Sequence, residues 1–366
     1  MESNAVVQSL VERLAPSGGD PESERIWRFS ERMAAVYQEQ MKQFDEDEEA
    51  RQWQRLYSAE NMPPPDDTLS MAEVAAQMAF YFPTHLFKFQ KAAIQQLLEW
   101  QSRQSQFNPY PFAAPSITMI DIGSGVGTAS LAIVDLLATW TDVIAELGYK
   151  QLGVSVNCIM VEPDINKQGP RRRMFSHLSR LLDRHMINVE PLNEVFAPFP
   201  EQECIQQILR PIPGGSLTLC CMSNFLSSVP ADGKRASAPL AVHAVSHATS
   251  TIEHSATMQA NHATALAAKA AQCGEASRYL LDNPAMRNRL LLASEVDEQG
   301  RTLRSFARSF HPYLELLIRR NRVRFYSPPG CYWHSLQSHE KPNDPDCAVN
   351  FWSLAHWIAG STSLLG

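Results

Sequence analysis

The stretch Ile117–Leu137 reads "ITMIDIGSGVGTASLAIVDLL". It joins a short apolar run to Asp121, sets glycines at Gly123, Gly125 and Gly127, and continues as an amphipathic helical pattern. Such a run suits a central parallel strand, and the pattern after it suits a helix. A strand that ends in a glycine turn and feeds a helix is a ligand platform. Glycines let the backbone come close, and the helix N-terminus offers unpaired N–H groups. In an open α/β sheet the ligand lies beyond the carboxyl ends of the strands, where strand order reverses.

Spacing narrows the ligand. G-x-G-x-G does not put its third glycine where the dinucleotide fingerprint has it, and no G-K-[ST] follows. Asp121, at the strand end, repels a pyrophosphate and suits a ligand with a cationic amino group, met directly or through water.

Outward from this stretch, strands and helices alternate. Thr128–Leu147 reads as helix, stopped by Gly148. "VSVNCIMVE" (Val154–Glu162) is a second strand, "GPRRRMFSHLSRLLDRH" a helix, "INVEPL" a third strand and "CIQQILR" a short helix. "SLTLCCMSN" is a fourth strand, and "NRLLLASEV" (Asn288–Val296) a fifth. "TLRSFARSFHPYLELLIRR" reads as helix, and "VRFYSPPGCYWH" with "CAVNFWSLAHWI" as a closing hairpin. The alternation predicts an α/β sheet with both faces covered. Residues 231–287, rich in Ala, Ser, Thr and His, break it. We read them as a helical insertion, a lid over the ligand edge.

Residues 1–105 read as a helical cap, separated from residues 117–366 by a Pro- and Ser-rich connector. Asp20 and Pro21 look like a helix start, with Ile26, Phe29, Met33 and Val36 at helical spacing. The acidic run Asp45–Glu49 reads as a solvated helix start, and Ser70 with Glu73 as a capping box. Pro83 interrupts the next helical pattern.

The 366 residues are 44% hydrophobic and 19% charged, the composition of a globular chain with a sizeable core. A net charge of −7 disfavours a nucleic-acid binder without excluding RNA. The 7 cysteines form no C-x-x-C pair, which fits a reducing compartment. We read no signal peptide and no membrane span, so the expected location is cytoplasmic.

Met119-Ile120-Asp121-Ile122-Gly123-Ser124-Gly125-Val126-Gly127 resembles motif I of the class I S-adenosylmethionine-dependent methyltransferases, h-h-D-h-G-x-G-x-G. The resemblance implies a Rossmann-like sheet with S-adenosylmethionine (SAM) as cofactor. It places the glycine turn, with Asp121, Gly123, Ser124, Gly125 and Gly127, against the methionine part of the cofactor. It gives Glu162 the ribose hydroxyls, although Glu162 comes later in the chain than the common pattern has it. The end of the fourth strand then faces the transferred group. Ser223 and Asn224 stand there, either bonding substrate or cofactor or capping a helix. Ser223-Asn224-Phe225-Leu226 lacks the prolines of [DNS]-P-P-[YFW], which disfavours the methyltransferases acting on base amino groups.

Other features carry a functional reading beside a plainer one. His243, His247, His254 and His262 share one helical face. His243 and His247 are candidates for a general base or a polar lining, and no cysteine completes a metal site. Tyr81, Thr84 and His85 reach cofactor or substrate if the cap folds over the site, with His85 a third candidate for the general base; otherwise this helix only packs. Arg171–Arg173 are candidate RNA contacts or a solvated helix end. The terminal aromatics Tyr326, Tyr332, Trp333, Trp352 and Trp357 suit sheet packing or a cation cage.

The expected function is methyl transfer from SAM to a small molecule in specialised metabolism, by a monomer or homodimer that uses no metal. One alternative keeps the cofactor but attacks its aminobutyryl carbons, releasing methylthioadenosine. Another is an rRNA methyltransferase-like or non-catalytic RNA-associated factor.

Overall fold

Alternate residues of a strand face opposite ways, and in this chain that rule sorts the helices into two layers. The computed structural model describes residues 2–16, 25–57, 70–103, 107–151, 153–212, 217–226, 250–284, 286, 288–296, 300–311, 317–326 and 346–358. The N-terminal part holds α1 (Glu2–Leu14), β1 (Ile26–Trp27), α2 (Glu31–Glu46), α3 (Trp53–Leu56) and α4 (Met71–Ser102). Then follow β2 (Ser116–Ile122), α5 (Thr128–Glu146), β3 (Val154–Val161), α6 (Gln168–Leu181), β4 (Ile187–Val189), β5 (Asn193–Val195) and α7 (Gln202–Leu209). The chain continues through β6 (Leu217–Ser223), α8 (Ser250–Leu281), β7 (Asn288–Glu295), α9 (Arg301–Phe310), β8 (Leu317–Tyr326) and β9 (Asp346–Ile358).

The strands form one sheet in the order β1-β8-β9-β7-β6-β2-β3-β4, with β5 also pairing to β3. Pairs are parallel except where β9 lies antiparallel between β7 and β8. Going from β2 to β3 and β4 the chain moves one way, and from β6 to β7 the other. The order therefore reverses between β2 and β6, whose register sets Asp121 opposite Cys221. That reversal is where a doubly wound sheet opens a crevice.

On one face, Ile117, Met119, Val156, Cys158, Leu219 and Leu292 pack against the cap helices and α5. On the other, Ile120, Ile122, Ile159, Met222 and Ala293 meet residues of α7, α8 and α9. Fully buried aliphatic side chains of this size contribute about 1.5–3 kcal/mol each, so two such layers hold the sheet firmly. By length and composition α5 is apolar enough to cross a membrane, yet 89% of that window is buried inside the fold. It is the sheet's covering helix.

Several expectations change. The helix expected from Asp20 begins at Glu31, because the Ser30 side chain accepts the Met33 N–H, while Ile26 and Trp27 pair with Arg324 and Phe325. Asp20 and Pro21 lie outside the described residues. The acidic run from Asp45 ends α2 instead of starting a helix, with Asp47 as its C-cap. Pro83 does not interrupt α4: Phe80, Phe82, Phe87 and Phe89 are buried on both sides of it, and that packing outweighs the roughly 3 kcal/mol that a mid-helix proline costs. The capping box forms as expected, Ser70 Oγ accepting from Glu73 N–H and Glu73 Oε2 from Ser70 N–H. Of "INVEPL" only Ile187–Val189 is strand, as β4; Pro191 has no N–H to give a ladder, and β5 begins after the stretch, at Asn193. The helix from Arg301 stops at Phe310, and Leu317–Arg320 are strand, zipped to Trp352–Ala355.

Within the expected insertion, α8 carries Ala270, Cys273, Leu280 and Leu281 into the second face's core. Its C-terminal half thus serves as the crossover layer between β6 and β7. Residues 227–249 lie outside the described residues.

Candidate functional site

The glycine turn leaves β2 directly at the reversal point. Gly123, Gly125 and Gly127 have φ of 67°, 54° and 86°, the left-handed region that glycine enters without strain. The N–H groups of Gly123 and Ser124 both donate to Val161 O at 3.0 Å, tying the turn to the end of β3. Their surroundings differ. A Cβ on Gly123 would sit 2.3 Å from the Phe225 ring, and one on Gly127 would sit 2.7 Å from Phe175. At Gly125 a Cβ would meet nothing within 4 Å, so this residue borders open space.

Asp121 is 1% exposed. Its Oδ2 accepts from Ser130 N–H at 3.1 Å and Ser130 Oγ at 2.7 Å. Burial raises its carboxyl to about 6, although the Ser130 bonds and Arg171 pull the other way. The carboxylate expected to meet a cationic ligand group, directly or through water, is engaged by Ser130. An odd-numbered residue of β2 faces the α5 layer, so its carboxylate ties the end of β2 to the first turn of α5.

Glu162, just past β3, does reach the turn. Its Oε2 accepts from Gly125 N–H at 2.8 Å, its Oε1 from Asp164 N–H at 3.0 Å, and Lys167 Nζ stands 3.6 Å away. Behind it Arg171, fully buried, donates to Gly125 O at 2.6 Å and to Glu194 Oε1 at 2.8 Å. Burial alone would raise the Glu194 carboxyl. Bonds from Arg171, Gln168 and Arg172 hold it below the usual carboxylate range instead. This settles Arg171 as an internal brace, not a surface contact. Arg172 is exposed but paired to Glu194, and Arg173 Nε donates to Gln40 Oε1 at 3.2 Å. Arg172 and Arg173 line a cleft of about 270 Å³ between α2 and α6, which shares no residue with the glycine turn.

Across the reversal point, the end of β6 faces the cap. Ser223 Oγ is buried and makes no hydrogen bond. Asn224 takes φ 51°, a left-handed conformation that asparagine tolerates better than most residues. Its Oδ1 accepts from Lys88 Nζ at 2.7 Å and from Val296 N–H at 3.2 Å, while its Nδ2 lies 2.5 Å from His85 Nε2. Tyr81 stacks on His85 with ring centres 5.7 Å apart. Thr84 Oγ1 is buried without a hydrogen bond. Burial and neighbouring Lys88 hold His85 well below the usual imidazole range. Burial likewise lowers Lys88 to about 7, against the pull of Glu295.

The sequence-predicted residues thus divide. Gly123, Ser124, Gly125, Gly127 and Glu162 gather at one side of the crevice, and Ser223, Asn224, Tyr81 and His85 at the other. His243 and His247 lie outside the described residues, as do Tyr332 and Trp333. Trp352 packs beneath Arg304 (5.3 Å to the ring centre) and Trp357 against Phe112, both in the fold's walls. Among the described residues no three His, Cys, Asp or Glu side chains gather as a metal site. Sequence reasoning missed Lys88, Glu194 and Glu295. A signal for Lys88 was present: it follows Tyr81, Thr84 and His85 at helical spacing, a polar stripe through a run of buried phenylalanines.

No protein family and no curated protein matches the chain. Solved structures do. The N-terminal domain of human METTL16 in complex with SAH is similar over 74% of this chain and 69% of its own, at 11% identity and TM-score 0.29. A SAM-dependent methyltransferase from Agrobacterium tumefaciens is similar over 74% of this chain and 60% of its own, at 9% identity and TM-score 0.30. A third, an antibiotic-related methyltransferase, shares 6% identity over 71% of this chain and 98% of its own, with TM-score 0.26. The class therefore rests on the chain's own sheet order and glycine turn: a Rossmann-like, doubly wound α/β protein.

Proposed function

We propose that the chain is an enzyme that binds SAM and transfers its methyl group to a small-molecule acceptor. One observation carries the reading: at the reversal point, a glycine turn that borders open space at Gly125 is hydrogen-bonded to an acidic strand end, Glu162.

The residues present fit the cofactor. Each Glu162 oxygen accepts one backbone N–H, and a carboxylate has about four acceptor positions, so capacity remains for ribose hydroxyls. Gly123 to Gly127 would lie along the methionine part, and Ser223 Oγ and Tyr81 stand opposite. When bound, SAM supplies a methyl carbon already activated towards a nucleophile. What remains for the chain is alignment and the exclusion of water, which the cap helix α4 and the half-buried Asn224 cluster are placed to provide.

The small-molecule acceptor is favoured over RNA by the net charge of −7 and by the inward turn of Arg171, which leaves the arginine run one member short. A cytoplasmic biosynthetic role, as monomer or homodimer, belongs to the same proposal; its cytoplasmic part is supported by cysteines that are free among the described residues.

Calorimetry with SAM and S-adenosylhomocysteine tests the platform; no binding of either overturns the reading. Incubation with SAM and candidate acceptors tests the reaction. Accumulation of S-adenosylhomocysteine supports methyl transfer, whereas methylthioadenosine alone would mean attack at the aminobutyryl carbons.

A further inference from the structure

Three side chains join the cap to the end of β6, and their hydrogen atoms follow from a donor that leaves no choice. The Val296 backbone N–H donates to one amide atom of Asn224 at 3.2 Å. A backbone N–H cannot accept, so that atom is the carbonyl oxygen Oδ1, and Lys88 Nζ, 2.7 Å from it, also donates to it. The other amide atom is therefore the NH₂ group. It lies 2.5 Å from His85 Nε2 and has no lone pair to offer, so Nε2 must be the acceptor. A neutral imidazole that accepts at Nε2 carries its proton on Nδ1.

The surroundings enforce this arrangement. Asn224 is held at three points: its own N–H donates to Ser294 O at 2.8 Å, Val296 grips its oxygen, and Lys88 adds the second donor. It stays in the left-handed region at φ 51°, a strained state that persists only when its neighbours over-determine it. Lys88 is 0% exposed, and its donation to Oδ1 polarises the amide and strengthens the N–H bond to His85. The groups facing His85 are Lys88 on its own helix, Tyr81 stacked on the ring, and Asn224; Glu295 acts on Lys88 from β7.

We propose that Lys88 and Asn224 are positioning residues that hold His85 as the neutral imidazole with its proton on Nδ1, so that His85 meets a bound ligand as a hydrogen-bond donor and not as a general base. Its Nε2 lone pair is spent on Asn224. A ligand beside Tyr81 and His85 is met by an N–H group, which suits a carboxylate or carbonyl oxygen and disfavours an ammonium. Only the role toward ligand rests on the methyl-transfer reading; the proton position does not.

The test is nitrogen–proton correlation NMR of the full chain with labelled histidine, from pH 5.5 to 8.5, His85 being identified by its loss in His85→Gln. The expected result is the pattern of a neutral ring protonated at Nδ1 throughout. A proton on Nε2, or a midpoint near 6.5, overturns the proposal. Asn224→Asp sharpens it. The carboxylate keeps Lys88 and Val296 on one oxygen and offers the other to His85, so the proton should move to Nε2 and the midpoint should rise. An unchanged Nδ1 pattern in the folded Asp variant also overturns it. The wild-type spectrum decides alone if that variant does not fold. Failure of SAM to bind the wild type in calorimetry would sink the methyl-transfer reading and leave the His85 result intact.

Discussion

The two sides of the crevice are built from different materials. On the side of β2 and β3 the site is backbone: three left-handed glycines, N–H groups tied to Val161 and Glu162, and a buried ion pair behind them. On the side of β6 and β7 it is side chain: Lys88, His85 and Asn224, brought together from positions more than 130 residues apart. The first side constrains where a ligand's backbone-facing atoms lie. The second determines which hydrogen-bonding groups it meets. Substitutions on the first side should therefore disturb fold and binding together, while those on the second should change chemistry with less effect on the fold.

The largest effect should come from the brace behind the turn. Arg171→Met leaves Glu194, only 4% exposed, without its buried partner. We expect a loss of about 3 kcal/mol in urea unfolding, because a buried cation's hydrogen bonds to Glu194 and to Gly125 O go together, while Arg172 and Gln168 still hold the carboxylate. Arg172→Met, which removes the 61% exposed partner of the same carboxylate, should cost about 1 kcal/mol or less. Equal losses in the two variants would erase the distinction between brace and surface.

Next come the glycines, which the sequence pattern treats alike. Gly123→Val drives its side chain into Phe225 and should weaken SAM binding at least about a hundredfold in calorimetry, or ~3 kcal/mol. Gly125→Ala meets open space and suffers only the left-handed conformation, about 1–2 kcal/mol. If Gly125→Ala proves the worse for folding, the space beside it is not open.

The last effect is a matter of pH. The Asp121 carboxyl titrates near 6 in the fold and near 3.8 when unfolded, because burial disfavours its charge. The folded state therefore binds more protons between these values, and stability falls as pH rises from about 4 to 6. At about 1.4 kcal/mol per pH unit this amounts to at most about 3 kcal/mol, a figure in which Arg171 works against the burial and Glu162 works with it. Asp121→Asn should lack this slope in unfolding measured across that range; parallel curves would mean that the carboxyl is not buried.

The contrast between the two sides also explains what was legible in the sequence. The turn side is local: a strand, a glycine spacing and a following helix lie within Ile117–Leu137, and period-2 and helical patterns reveal them directly. Glu162 is found by its place at a strand end. What local pattern does not carry is which way a polar side chain points. Asp121 reads as a ligand-facing group and Arg171 as an RNA contact or solvated helix end, yet both side chains are buried, Asp121 on Ser130 and Arg171 on Glu194. The cap side depends on tertiary contact. Nothing in the sequence near Lys88 mentions Asn224, and Pro83 argues against the single helix that brings them together. The start of α2 went unread for a similar reason: Ile26 and Trp27 satisfy their backbone against β8, more than 290 residues away.

That single helix has a mechanical consequence. At 1.5 Å per residue, the 32 residues of α4 make a rod about 48 Å long. Its middle carries Tyr81, His85 and Lys88; farther along, Lys91 donates to Arg322 O and Glu99 pairs with Arg319, both on β8. The wall of the crevice and the far edge of the sheet are thus one lever. A push on His85 would be carried to β8 through these contacts, and the rung missing from the rod's ladder at Pro83 is where such a lever would bend most easily.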